Sequence, residues 1–123
     1  RGLLGSNDVA AGRFTNRDAP FLTTMWGCWG GFFVDPQYQG LSHALLVGSD
    51  AGAGAVIAAS GLTDTNHDEA FAQWLIPEMT RSGARLGDAF RIAQSQFARA
   101  YPQALDVSVG MILLGDPALI LSP

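Results

Sequence analysis

Apolar residues cluster along this chain in short runs separated by glycine, proline and polar turns, and the runs differ in period. FLTTMW at 21–26 is a strand-like run that closes on Gly27. GAVIAA at 54–59 is apolar and small without alternation, the pattern of a strand buried on both faces, as in a parallel sheet. VGMILL, around 109–114, reads as a third strand, followed by a Gly115-Asp116-Pro117 turn and a short fourth strand over 118–121. Between the strands the period lengthens. Leu86, Ala89, Phe90, Ala93, Phe97 and Tyr101 recur at helical spacing, with Arg91, Gln94 and Arg99 elsewhere, which predicts an amphipathic helix over 86–101. A second helix is expected from about Asp68, with Thr65 or Asn66 as cap and Asn66 and Glu69 at capping-box spacing. Its apolar face would carry Phe71, Leu75 and Met79, and Pro77 is expected to kink or split it. Shorter helices are expected over 6–16, capped by Ser6 or Asn7, and over 41–47, ended by a Gly48-Ser49-Asp50 turn.

The order strand, helix, strand, helix, helix, strand implies an α/β fold with a parallel sheet and helices on both faces. Active sites of such folds lie beyond the carboxyl ends of the strands. The residues that leave the first two strands, Cys28 and the Ser60-Gly61-Leu62 loop, would open onto the same edge.

Composition narrows the function. The 123 residues suffice for one domain, and only 15% are charged, against a usual ~25%. The net charge is −4, with no basic stripe, so nucleic acid is not an expected partner. No apolar run reaches the roughly 18 residues of a membrane span. A single cysteine excludes an internal disulfide. The chain opens on Arg1, with no initiator Met or signal peptide, and reads as a processed piece of something longer.

That cysteine carries the chemical interest. Free cysteines are most often small buried hydrophobes, but Cys28 directly follows a strand and has Gly27, Gly30 and Gly31 around it, which leaves room for a ligand at the sulfur. A nucleophile is the better reading. A thiolate needs a base, and the chain offers only His43, in a helix, and His67, at a helix start. Each is more simply a surface residue. Trp26, Trp29, Phe32 and Phe33 serve equally as pocket wall or as core. The Asp116-Pro117 turn is read as structural.

Four segments taken together resemble a known family: LLGSNDVAAGRFTN, PFLTTMWGCWGGFF, GLSHALLVGSDAGAGAVIAASG, and ARLGDAFRIAQSQF followed by MILLGDPALIL. They resemble, in order and across nearly the whole chain, the C-terminal half of the catalytic domain of gingipain-type cysteine peptidases. The resemblance implies a caspase-like three-layer sandwich with a mostly parallel sheet, of which residues 1–123 would be the C-terminal part. It places Cys28 as the nucleophile, its backbone N–H in an oxyanion hole, and Ser60 and Gly61 in the loop lining the pocket for the substrate residue before the scissile bond. The family's catalytic histidine lies in an upstream His-Gly loop that nothing here matches, so the base is expected from a segment before Arg1.

The implied activity is endopeptidase cleavage of protein or peptide substrates without metal or organic cofactor. The resemblance also allows a structural calcium ion, with no residue assigned to it. Expected partners are the upstream half of the same precursor or a second copy, and the expected location is secreted or cell-surface. Two other functions compete. One is a catalytically inactive caspase-like module for assembly or surface display. The other is a Cys-dependent α/β hydrolase or amidotransferase with a Gly-x-Cys-x-Gly elbow, which Trp26 in place of the first glycine disfavours.

Overall fold

The computed structural model describes residues 4–35, 37–48 and 50–121. Its elements are α1 (Ser6–Ala10), β1 (Phe21–Met25), α2 (Leu41–Val47), β2 (Ala53–Ala59), α3 (Thr65–Met79), α4 (Leu86–Ala100), a 3-10 turn (Pro102–Ala104), α5 (Leu105–Gly110) and β3 (Met111–Gly115). The strands form one sheet in the order β1-β2-β3. β1 and β2 are parallel, with Thr23 opposite Val56 and Met25 opposite Ala58. β3 runs antiparallel to β2, with Met111 opposite Ala59 and Gly115 opposite Ala55. The sheet is therefore mixed.

Central β2 explains the three layers. Ala55, Ile57 and Ala59 enter a core with Phe71 and Leu75 of α3, Leu86 and Phe97 of α4, and Met111. Val56 and Ala58 enter a second core with Val9 of α1 and Leu45 of α2. Val56, Ile57 and Ala58 are wholly buried, which accounts for the absence of alternation in this strand. Small side chains along β2 let both helical layers pack close to the sheet. The larger core holds an aromatic cluster: Phe71 meets Phe90 and Phe97 at ring-centroid distances of 5.9 and 5.7 Å. Leu86, Ala89, Phe90, Ala93 and Phe97 are buried, as the helical spacing predicts, and Tyr101 stacks on Phe97 at 5.1 Å.

Several expectations are corrected. The parallel sheet is broken by β3, because α5 occupies 105–110 and delivers the chain to the carboxyl end of β2, from which β3 can only run back. Residues 118–121 do not add a strand to the sheet. They hydrogen-bond instead to the segment entering α4, through Leu86 N–H to Leu119 O (2.9 Å) and Leu121 N–H to Ala84 O (2.8 Å). The helix expected over 6–16 stops at Ala10, with Gly12 in the left-handed region at φ 69°, and its cap is Gly5, whose N–H donates to Asp8 Oδ2 at 2.9 Å. Pro77 does not split α3. It lies two residues before the helix end at Met79, where the Thr80 hydroxyl donates to Ile76 O and Pro77 O at 3.1 Å. The Gly48–Asp50 turn includes Ser49, which lies outside the described residues. The Asp116-Pro117 turn is structural: Asp116 Oδ1 accepts from Ala118 N at 2.8 Å, and Pro117 O accepts from Gly87 N at 2.8 Å.

Candidate active site

The site is built where β1 and β2 end side by side. After Met25 the chain turns sharply and crosses the end of β2, held by Trp29 N–H to Gly61 O at 3.0 Å and Gly31 N–H to Ala59 O at 2.8 Å. Gly27 makes the first bend at φ 141°, a conformation that residues with a side chain rarely adopt. Gly31 keeps the turn close to β3, since a Cβ there would crowd the Ile112 side chain at 3.1 Å. Cys28 is left exposed at the apex. Its Sγ donates to Thr63 O at 3.2 Å and accepts from Thr63 N–H at 3.4 Å. Among the described residues, none accepts a hydrogen bond from the Cys28 amide.

A cleft of about 360 Å³ opens beside the thiol. Trp26, Gly27 and Cys28 form one wall, and Thr63, Asp64 and Asp68 are among the residues of the other. This second wall is fixed by the start of α3. Asp64 is the N-cap, its Oδ1 accepting from Asn66 N (3.0 Å) and His67 N (3.1 Å) and its Oδ2 pairing with His67 Nδ1. The His67 side-chain hydrogen bond, and then the His67 amide, hold the Asp64 carboxyl below its ordinary value. Asp68 is 5% exposed and accepts from the Thr63 hydroxyl at 2.6 Å. A carboxylate one turn into the helix suits the positive end of the helix dipole.

Neither histidine meets the thiol. His67 turns its ring edge-on to Phe97 and Tyr101, at 5.8 and 5.4 Å, and is held there by Asp64. His43 is exposed on α2 and borders a separate concavity with Ser6 and Asn7 of α1. Ser60 and Gly61 lie next to the cysteine loop. The Ser60 hydroxyl donates to Gly110 O at 2.9 Å, while the Gly61 carbonyl receives the Trp29 amide. Among the described residues no helix follows Cys28 until Leu41, so they show no strand–nucleophile–helix elbow of the α/β-hydrolase kind there. No group of three or more potential metal ligands is found among the described residues.

Thr63, Asp64 and Asp68 are the site residues that sequence reasoning missed. Their signal was a Thr-Asp pair just before a Thr-Asn-His-Asp-Glu helix start, with Asp64 rather than Thr65 or Asn66 as the cap.

An exposed cysteine follows a strand end beside a cleft, and peptidase family C25 matches residues 1–122. The chain belongs to peptidase family C25. This is the gingipain family of cysteine peptidases, and the mixed sheet with helices on both faces is consistent with a partial caspase-like α/β fold. No curated protein and no solved structure gives a match. Within this C25 chain, Trp29 is the one non-glycine residue with positive φ among those described, at 64°. That left-handed conformation costs an L-residue roughly 1–2 kcal/mol, so the turn carries strain immediately after the cysteine.

Proposed function

We propose that this chain is the nucleophile-bearing part of a gingipain-like cysteine endopeptidase, with Cys28 as the attacking group. The observation that carries this reading is the exposed Cys28 thiol at the end of β1, opening onto the cleft. The cleft receives the substrate residue before the scissile bond; the Ser60-Gly61 loop lies outside the cleft's lining and holds the cysteine loop through Gly61 O and the Trp29 amide. Sγ attacks the scissile carbonyl, and the Cys28 amide donates to the resulting oxyanion. An imidazole from the upstream segment takes the thiol proton and passes it to the leaving amine. Water then hydrolyses the thioester, releasing the acid and regenerating the thiol. The chemistry needs no metal or organic cofactor.

The base is assigned upstream because neither histidine borders the cleft at Cys28: His67 is held by Asp64 and packs on Tyr101, and His43 borders a separate concavity. The same reading assigns action outside the cell or at its surface. It also assigns the free edge of β1 to the upstream half of the precursor or to a second copy. The test is peptide cleavage by the precursor that carries this chain, with and without Cys28→Ala. Activity lost in the variant is expected. Activity that survives it would remove Cys28 from the mechanism, and a precursor that never cleaves while its thiol reacts would favour an inactive assembly module.

A further inference from the structure

We infer that Trp29 is a specificity-determining residue of this site, selecting substrates with an aromatic or bulky aliphatic residue just after the scissile bond. The inference rests on Cys28 being the nucleophile. Trp29 directly follows it, yet lies outside the residues that line the cleft. The thiol thus marks a boundary: the cleft stands on one side, and an aromatic ridge begins at the next residue. Trp29 meets Phe32 edge-on at a ring-centroid distance of 5.3 Å, and Phe32 meets Tyr38 at 5.8 Å. The ridge is thus held by its own contacts.

Two features of Trp29 do not serve the fold. Its backbone is in the left-handed region, where glycine would sit without strain, and this turn already uses glycine at 27, 30 and 31. Its side chain is 47% exposed, so it gains only part of the burial that usually justifies a tryptophan. Strain retained at such a position fits a functional contact better than a folding one. Its amide is committed to Gly61 O and cannot serve an oxyanion, which leaves the indole as the group free to act. Phe33 and Val34, also exposed, extend the apolar surface beyond it. The occupant is the substrate itself. A peptide whose carbonyl carbon reaches Sγ, and whose preceding residue fills the cleft, must leave over the neighbouring surface, and Trp29 begins that surface.

The test needs no peptidase activity. Chloroacetyl-Phe amide and chloroacetyl-Gly amide alkylate a thiol by forming an S–C bond and releasing chloride, with the thiol proton passing to buffer. Both place their amino acid after the reactive centre. Labelling rates at Cys28 of the folded chain are read by mass spectrometry as the ratio of the two probes. The expected ratio favours the Phe probe about tenfold, falls to near one in Trp29→Gly, and recovers in Trp29→Phe. Trp29→Asn, which also tolerates positive φ, replaces Trp29→Gly if the latter does not fold. A wild-type ratio near one, or a preference that survives loss of the indole, overturns the inference. Labelling without any cleavage by the precursor would instead count against the peptidase reading and leave the Trp29 preference standing.

Discussion

The Cys28 sulfur sits against the backbone of Thr63, donating to its carbonyl at 3.2 Å and accepting from its amide at 3.4 Å. The Thr63 hydroxyl is in turn bound to the buried Asp68 carboxylate at 2.6 Å. A chain of contacts therefore runs from the first turn of α3 to the thiol.

This predicts an asymmetry at position 63. Thr63→Val leaves Asp68 without its hydroxyl partner in a site that is 5% exposed. Leaving a buried acceptor unpaired costs about 1–3 kcal/mol, and urea denaturation should show a loss of that size. Thr63→Ser keeps the hydroxyl and should recover most of it. Equal loss in both variants would mean that the methyl group, not the hydrogen bond, is what matters.

The thiol should react in the folded state. Cys28 is exposed, and its two hydrogen bonds to Thr63 are weak sulfur contacts that an incoming electrophile can displace. Iodoacetamide should alkylate the native chain completely, with one adduct by mass. Labelling only after denaturant is added would place the sulfur inside the fold.

Asp64 should confer a pH dependence of known sign. His67 holds its carboxyl below the ordinary value, so the native state binds that proton less readily than the unfolded chain does. Its contribution is complete above the ordinary carboxylate value near ~3.9 and is lost as pH falls through the lowered native value. Asp64→Asn retains a good N-cap but not the charge. The variant should melt below the wild type at neutral pH, and the gap should narrow on acidification. A gap that is constant with pH would show that the His67 pairing contributes nothing.

Much of the scaffold was legible because its signals are local and strong. The 86–101 spacing is carried by six apolar residues on one face, and the non-alternating 54–59 run could satisfy only a doubly covered strand. The cysteine's placement was readable for the same reason, since Met25-Trp-Gly-Cys ends a strand at a glycine. What failed depends on distant partners. LDVSVG at 105–110 contains two β-branched valines and looks extended, yet it folds as α5, with Val107 buried in the larger core and the backbone of Ser108 accepting from Gln94 Nε2 at 2.9 Å. That helix sets the direction of β3, which hydrophobic pattern alone does not encode. The cleft's second wall escaped notice because Thr63 and Asp68 gain significance only once Cys28, 35 residues before Thr63, is placed beside them.

The aromatic core should be intolerant of truncation. Phe97 is wholly buried and touches Phe71, Trp74, Tyr101 and the His67 ring. Phe97→Ala should cost about 3–5 kcal/mol, a large share of the ~5–15 kcal/mol typical of a domain. Because His67 loses a ring that holds it, the Asp64 cap should loosen as well. Thermal melting that drops only slightly would show that Trp74 and Tyr101 can collapse into the space.

The free edge of β1 governs the last prediction. β1 is a terminal strand of the sheet, hydrogen-bonded to β2 alone among the described residues. The backbone groups along the outer side of β1 therefore have no partner strand among the described residues. Unpaired amides on a strand rich in apolar side chains invite another strand, and each large apolar side chain removed from water contributes about 1.5–3 kcal/mol. The isolated chain should therefore self-associate, with sedimentation showing a mass that grows with concentration. Thr24→Lys places a charge on this edge strand, a substitution that opposes edge-to-edge pairing, and it should shift the chain towards monomer while leaving the far-UV spectrum folded. A wild-type chain that stays monomeric at every concentration would show that this edge is already protected, and that β1 needs no partner strand.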